Sequence, residues 1–600
     1  MVAELEYYDT NIPCLAACPV HTNAGMYVAA IADGDDELAY LTARLPNPFA
    51  SVCGRVCAAP CEDACRRGAI DRPIAIRALK RFVTEQFGPE HGDSTAWEQV
   101  AAPPTVERQE SIGVIGGGPA GMACAHDLRK HGYQVTVYEA TDKLGGAMWL
   151  GIPEYRLDRG VLQSDIDAIV NLGVEVRYET RLGHDVTFDE LMDHHDAIFL
   201  GIGATLGRGL DIEGAEADGV FKAIEFLINM NRGFSVDVGE RVVVIGGGDV
   251  AMDAARTALR ASEYGNAPED GSDAAADEDV SADQRSAMTE AIDVARSATR
   301  AGAREVTVIS LEARDEMPAH DFEIEEAEHE GITFVPRRGP ARIEVADGRV
   351  TGIETIGVQS VFDEHRRFAP VFDEDDRHVY EADTVILAIG QAIDIEALGA
   401  TGPEISPRRT IQIDFDTGRT SLPGVWSGGD AAKGPRTLID AIADGRRSAA
   451  DIHRAFGGDD EPPHPTTFVK LGQFHRLEDD YDRVPRVDVP TLDTGRRIGL
   501  AEVELGFTEQ QARCEAARCL RCFANIVLDV NKCVLCALCA DVCPVDVISL
   551  VPSEDLDPAT RGGTALLLDE ERCIRCALCI ERCPPDALAM GVWKGVGVPA

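Results

Sequence analysis

Apolar residues gather twice along the chain into one pattern: a β-branched run, a glycine cluster, then small residues at helical spacing. The first instance is Ser111-Ile-Gly-Val-Ile-Gly-Gly-Gly-Pro-Ala-Gly121, passing into a helical stretch over 122–131. The second is Arg241-Val-Val-Val-Ile-Gly-Gly-Gly-Asp-Val-Ala251. Each reads as a buried strand, a tight turn and a helix. Alternating apolar stretches follow both, Gln134–Tyr138 ending at Glu139 and Glu305–Ile309 leading to Glu312. Residues 195–204 and 383–391 read as further buried strands that run into glycine turns, and 437–449 as a helix. Residues 1–105 lack strand-like runs and read as short helices. The stretch 262–292 is rich in Ala, Asp, Glu and Ser and reads as an acidic surface insert.

The glycine spacing carries chemistry. Gly116, Gly118 and Gly121 form G-x-G-x-x-G, and Gly246, Gly248 and Ala251 repeat it with Ala in third place. The first glycine allows the tight turn, the second lets backbone approach a pyrophosphate, and the third lets helix pack on strand. An acidic residue at the end of the next strand can accept hydrogen bonds from a ribose diol, the part expected of Glu139 and Glu312. A carboxylate at Glu312 repels a 2′-phosphate, so NADH is expected over NADPH, with Arg314 as a possible phosphate partner for NADP.

Cysteine placement adds metal. All but one of the 18 cysteines lie within 14–65 or 514–583. The first ten residues have neither a basic start nor an apolar core, so no export signal and a cytoplasmic location are expected. Reduced thiols there point to metal ligands, not disulfides. Near the C-terminus, Cys533-x2-Cys536-x2-Cys539-x3-Cys543-Pro recurs as Cys573-x2-Cys576-x2-Cys579-x3-Cys583-Pro. This is the spacing of a two-cluster ferredoxin, in which the fourth cysteine of each run serves the other cluster. Cys533, Cys536, Cys539 and Cys583 are therefore expected to hold one [4Fe–4S] cluster, and Cys573, Cys576, Cys579 and Cys543 the other. Short strands are expected at 545–550 and 587–590. Cys14, Cys18, Cys53, Cys57, Cys61 and Cys65 form a second, N-terminal set, spaced for a cluster better than for a zinc knuckle. Cys514, Cys519 and Cys522 carry no assigned role.

The expected architecture is a multidomain α/β chain with six parts. They are a helical iron–sulfur domain (1–105), a first dinucleotide-binding part (106–235), a second such domain with the insert (236–390), a returning segment (391–458), a connector (459–525) and a ferredoxin-type α+β domain (526–600). The charge, 57 basic against 103 acidic residues for a net −46, argues against nucleic acid and anionic membranes. It suits a very salty cytoplasm, where ions screen self-repulsion. No apolar run is long enough to span a bilayer.

Several motifs, in order over residues 10–455, resemble the small subunit of glutamate synthase and the matching modules of dihydropyrimidine dehydrogenase. They are Cys14-x3-Cys18-Pro19, Asn47-Pro48-Phe49, Cys53-Gly-Arg-Val-Cys57, Pro60-Cys61-Glu62, Cys65, 76–82, Lys143-Leu-Gly-Gly146, Gly151-Ile-Pro-Glu-Tyr-Arg156, Met317-Pro-Ala and Gly424-Val-Trp-Ser-Gly-Gly-Asp430. The resemblance implies FAD on the first glycine site, with Gly146, Gly429 and Asp430 contributing, and a nicotinamide nucleotide on the second. It implies at least one N-terminal [4Fe–4S] cluster, on Cys18, Cys57, Cys61 and one further cysteine, and two departures argue against a second. The family's additional C-x2-C pair before Cys14 is missing, and lysine stands at position 80, where relatives can supply a non-cysteine ligand.

A nicotinamide gives up a two-electron hydride whereas an iron–sulfur cluster takes single electrons, and a flavin joins the two. The chain is thus expected to be a flavin-dependent NAD(P)H oxidoreductase exchanging electrons with ferredoxin or a larger redox subunit. The other readings are the glutamate synthase small subunit itself, an electron-input subunit of a formate dehydrogenase or bifurcating transhydrogenase, and a relay without nicotinamide chemistry. Hydride transfer demands no acid–base residue, and the sequence shows no Ser/His/Asp set or glutaminase nucleophile. Oligomeric state is not read from the sequence.

Overall fold

The computed structural model describes residues 10–91, 96–97, 102–234, 236–261, 303–459, 466–470, 481–497, 500–560 and 562–595. The acidic insert expected at 262–292 lies outside them.

Two parallel five-stranded sheets form the centre. The first runs Val425–Ser427, Ala197–Leu200, Ser111–Ile115, Gln134–Tyr138, Glu175–Arg177. Ala197–Leu200 is buried throughout, as its unbroken apolar run requires of a central parallel strand. Its outer neighbour, Val425–Ser427, returns from far along the chain, so this domain is built in two pieces. The helix expected at 437–449 is Leu438–Ala455, started by the Thr437 side chain accepting from Asp440 N. It packs on helix Pro119–Lys130 so closely that a Cβ on Gly445 would lie 2.0 Å from the Ala120 carbonyl oxygen.

The second sheet runs Val220–Lys222, Thr384–Leu387, Arg241–Ile245, Glu305–Ile309, Thr333–Val335. Val220–Lys222 falls before the boundary placed at 235. Helix Ala223–Asn231, which follows it, buries Phe226 and Leu227 with Val242 and Val244, so these residues belong with the second domain. The same domain carries an antiparallel sheet that the hydrophobic pattern does not announce, Arg338–Ala346, Arg349–Phe362 and Phe368–Glu381. Its last strand is exposed along most of its length, so no period-two apolar signal marks it.

The N-terminal domain is helical, with Ala24–Asp33, Asp36–Arg44, Ala50–Val56 and Ile76–Phe87 around Tyr27, Ile31, Tyr40 and Leu79. The connector is not a passive linker. Its helix Glu509–Ala517 places Phe507, Ala512 and Ala516 in that same core. At the C-terminus, Asn525–Leu528 pairs with Leu588–Gly595, and Ile548–Pro552 with Thr564–Leu568. The strand expected at 545–550 thus starts three residues later, beyond the turn after Pro544, and its partner at 564–568 was not foreseen. Among the described residues no helix is long and apolar enough to cross a membrane.

Candidate functional site

At the first glycine turn, Gly116 has φ +100°, and a Cβ there would lie 2.4 Å from the Gly201 carbonyl oxygen. A Cβ on Gly121 would lie 2.0 Å from the Gly116 carbonyl oxygen, so both positions demand glycine for helix to meet strand. Gly118 faces Gly146 across the turn, leaving backbone on both walls of a narrow cradle. The buried Glu139 closes it. Its Oε2 accepts Gly117 N at 2.9 Å, while Oε1 accepts Thr141 N at 2.8 Å and Thr141 Oγ1 at 2.9 Å. Gly429 meets the same helix at Ala120 and donates its N–H to Asp444 Oδ2 at 3.2 Å. Asp430 begins the short helix Asp430–Lys433. Burial pushes its carboxyl up to about 6, although Oδ1 accepts Arg436 N at 3.1 Å.

The second turn copies the first, as tight at its first glycine, where a Cβ on Gly246 would lie 2.3 Å from the Ala388 carbonyl oxygen, and roomier at its second. Gly246 has φ +143°, a Cβ on Gly248 would meet open space, and Ala251 is wholly buried. Glu312 Oε2 lies 3.0 Å from where a Cβ on Gly247 would stand, against 3.1 Å for Glu139 Oε2 at Gly117. The two carboxylates therefore occupy matching places on their turns. Arg314 is paired with Glu328 at 2.9 Å, and Arg337, whose N–H donates to the Glu312 carbonyl, pairs with Glu316 at 2.6 Å. Both cations near the carboxylate are thus already engaged by acids.

A cleft of about 280 Å³ lies between the turns. Pro119 and Met148 line it from the first domain, Asp249 and Val250 from the second, and Asp430 from the returning segment. Val56 and Ala58, on either side of Cys57, line it as well. One wall is an ion network missed in the sequence. Arg156 Nη1 meets both oxygens of Asp253 at 2.7 Å, and its Nη2 pairs with Glu323. Arg256 continues the chain to Glu330 at 2.8 Å. Tyr155 lies under Arg260, whose guanidinium is 4.0 Å from the ring centre. The Gly151-Ile-Pro-Glu-Tyr-Arg156 motif, a charged end on an apolar loop, was the signal for this clamp between the two dinucleotide halves.

The thiols fall into four groups. Cys533, Cys536, Cys539 and Cys583 line one cavity, and Cys543, Cys573, Cys576 and Cys579 another, each about 20 Å³. In the N-terminal domain, Cys18, Cys53, Cys57 and Cys61 surround the buried Lys80. Burial alone lowers its ammonium, and Cys53, Cys18, Cys57 and Cys61 together raise it. A hydrogen bond from Cys53 lowers the Cys57 thiol, with Lys80 assisting. Cys53 is the cysteine that joins Cys18, Cys57 and Cys61 around this lysine. Cys14 and Cys65 stand apart, with Cys519 and Cys522. Cys514 is exposed. Among the described residues no three such side chains close on a single metal ion, and this includes both ferredoxin runs.

Known proteins match these parts in order. The model for pyridine nucleotide-disulphide oxidoreductases covers residues 110–445, that for dihydropyrimidine dehydrogenase domain II with its 4Fe-4S cluster 8–91, and that for the 4Fe-4S dicluster domain 532–587. The chain is 34% identical to the beta subunit of NADP(+)-dependent formate dehydrogenase of Moorella thermoacetica, over 85% of this chain and 70% of that one. It is 32% identical to the beta subunit of NADPH-Fe(3+) oxidoreductase of Geobacter sulfurreducens, over 85% and 75%. It is 28% identical to the glutamate synthase [NADPH] small chain of Azospirillum brasilense, over 73% and 85%. With its two glycine turns facing one cleft and cysteine sets at both ends, the chain belongs to the pyridine nucleotide-disulphide oxidoreductase family, as an NAD(P)H-dependent FAD and iron–sulfur oxidoreductase.

Proposed function

We propose that this chain takes hydride from NADH and passes the electrons singly, through its iron–sulfur domains, to ferredoxin or a larger redox subunit. The observation that carries the donor is Glu312. Its carboxylate repeats the place of Glu139 on the turn, and Arg314 and Arg337 are tied to other acids. A ribose diol is welcome there and a 2′-phosphate is repelled. The Moorella and Geobacter relatives are named for NADP and NADPH, so the turn residues are where this chain is expected to differ.

In this reading Gly116, Gly118, Gly121, Glu139, Gly146, Gly429 and Asp430 hold FAD, and Gly246, Gly248, Ala251 and Glu312 hold NADH. FAD, when bound, accepts the hydride pair and returns it as single electrons. The residues supply position. Backbone at Gly118 and Gly146 leaves room for a pyrophosphate, Arg156 keeps the two domains at a fixed spacing, and apolar Val250 and Met148 exclude water from the cleft. Val56 and Ala58, the neighbours of Cys57 in the chain, line the cleft, so the N-terminal domain forms part of its wall and is the exit for electrons in this reading. We place the protein in a high-salt cytoplasm on its net charge of −46.

The test is anaerobic reduction of a ferredoxin by the purified holoprotein. NADH-dependent reduction supports the reading. Electron delivery only to a glutamate synthase large subunit, with glutamine and 2-oxoglutarate consumed, would replace it with the small-subunit role.

A further inference from the structure

Four thiols contributed by opposite ends of the chain face one void. Cys14, Cys65, Cys519 and Cys522 line a cavity of about 30 Å³ together with Arg66 and apolar Val28, Ile74 and Leu520. We propose that these four cysteines bind a [4Fe–4S] cluster, a fourth one in this chain, held jointly by the N-terminal domain and the connector.

Three observations carry this. The void is of the same kind as the two in the ferredoxin domain, which are each about 20 Å³ and each lined by four cysteines. In none of the three do the thiols close on one metal ion, as they would around tetrahedral zinc. Standing around a void is what ligands of a multi-atom cluster do.

The connector is also fastened here far more firmly than a tether requires. Glu515, fully buried, accepts Ala75 N at 2.9 Å and Arg518 Nη1 at 2.7 Å through Oε1, and Val487 N at 2.8 Å through Oε2. Arg518 reaches Asp71 at 2.9 Å and the Arg72 carbonyl at 2.8 Å. Arg521 pairs with Asp33 at 2.6 Å. The Phe523 ring presses on Gly25, where a Cβ would also lie 3.7 Å from Cys14 Sγ. These contacts fix Cys519 and Cys522 opposite Cys14 and Cys65, a rigid site of the sort metal centres need.

Finally, buried cationic side chains adjoin the thiols. Arg66 lies against Cys522 at this void and Arg575 against Cys573 at the neighbouring ferredoxin void, and Arg66 Nη1 and Arg575 Nε and Nη1 have no oxygen or nitrogen acceptor. Four thiolates around an iron–sulfur core carry net negative charge, which gives such guanidinium groups a counter-ion.

The site also has a place in the molecule. The buried Tyr27 adjoins Cys14 of this site as well as Cys18 and Cys61 of the group at Lys80. Tyr481 lies near both Cys576 and Arg67, so the ferredoxin void nearer to it is that of Cys543, Cys573, Cys576 and Cys579. The site thus adjoins both the group at Lys80 and, through Arg575 beside Cys522, the ferredoxin domain, and each transfer between such neighbours oxidises one station by one electron and reduces the next by one. This holds whether NADH or NADPH is the donor.

The experiment is iron, sulfide and zinc analysis per FAD on anaerobically purified full-length holoprotein, with electron paramagnetic resonance after dithionite reduction. The wild type is expected to hold about 16 iron atoms, and the double variant Cys519→Ser/Cys522→Ser about 12, with one reduced-cluster signal lost. Cys514→Ser, an exposed neighbour, should keep all 16. Should the double variant fold poorly, native mass spectrometry of the unmodified holoprotein counts the clusters directly, and four are expected. Three clusters in the wild type, a zinc ion in place of four irons, or an unchanged iron count in a folded double variant would each overturn the assignment.

Discussion

The two glycine turns share a plan and differ in closure. At the first, three glycines bring helix, strand and Gly146 loop into contact, and Glu139 is buried with three hydrogen-bond donors. At the second, alanine takes the third place, Gly248 borders open space, and Glu312 stands on a partly exposed turn. The same backbone geometry thus makes one site suited to a resident ligand and another suited to one that comes and goes. The helices behind the turns differ as well. Pro119–Lys130 is held by close packing against Gly445, whereas Asp249–Ala261 is held by buried ion pairs through Arg156, Arg256 and Arg260.

The comparison breaks most completely at the third glycine. Gly121→Val drives a side chain into the Gly116 carbonyl, and overpacking of this kind costs about 1–3 kcal/mol or more. The purified variant should carry less than a tenth of the wild-type flavin absorbance. Ala251→Gly, the equivalent position of the second turn, should cost only about 0.5–1 kcal/mol of helix stability and leave flavin bound.

Next in size is Arg156→Leu. It leaves Asp253 and Glu323 buried without their partner, a loss of about 3–5 kcal/mol, read as a lower Tm and a weakened response to NADH with FAD still present. Glu312→Ala removes a charged hydrogen-bond acceptor, about 1.5–3 kcal/mol. It should lower kcat/KM for NADH roughly 10- to 100-fold while raising that for NADPH. An unchanged ratio would remove the carboxylate from the nucleotide site.

The smallest effect concerns Asp430. Its carboxyl titrates near 6 in the fold against an ordinary 3.8, so the neutral form is favoured by folding. That stabilisation is full below 3.8 and is lost as pH rises through about 6. Solvent screening keeps it to about 1 kcal/mol. Thermal melts of flavin-free protein should decline across this window, and Asp430→Asn should flatten the decline.

Local spacing made much of this legible. The glycine turns and the carboxylates that follow them lie close in sequence, and the repeated ferredoxin spacing announces the crossed grouping of its cysteines. What stayed hidden depends on distance or on lost periodicity. Cys519 and Cys522 meet partners at positions 14 and 65, and only their C-x2-C spacing hinted at a ligand pair. Strand Val220–Lys222 is too short to announce its sheet, and Phe368–Glu381 is too exposed. Arg156 sits in a recognisable motif, yet its partners Asp253 and Glu323 come from another domain.

The most direct test is an anaerobic titration of the holoprotein in high salt, with NADH and NADPH in turn, following flavin and iron–sulfur absorbance. Prompt bleaching of both chromophores by NADH and much weaker bleaching by NADPH are expected. Preference for NADPH would contradict the role given to Glu312, and flavin bleaching without any loss of cluster absorbance would contradict the path from the cleft to the thiols.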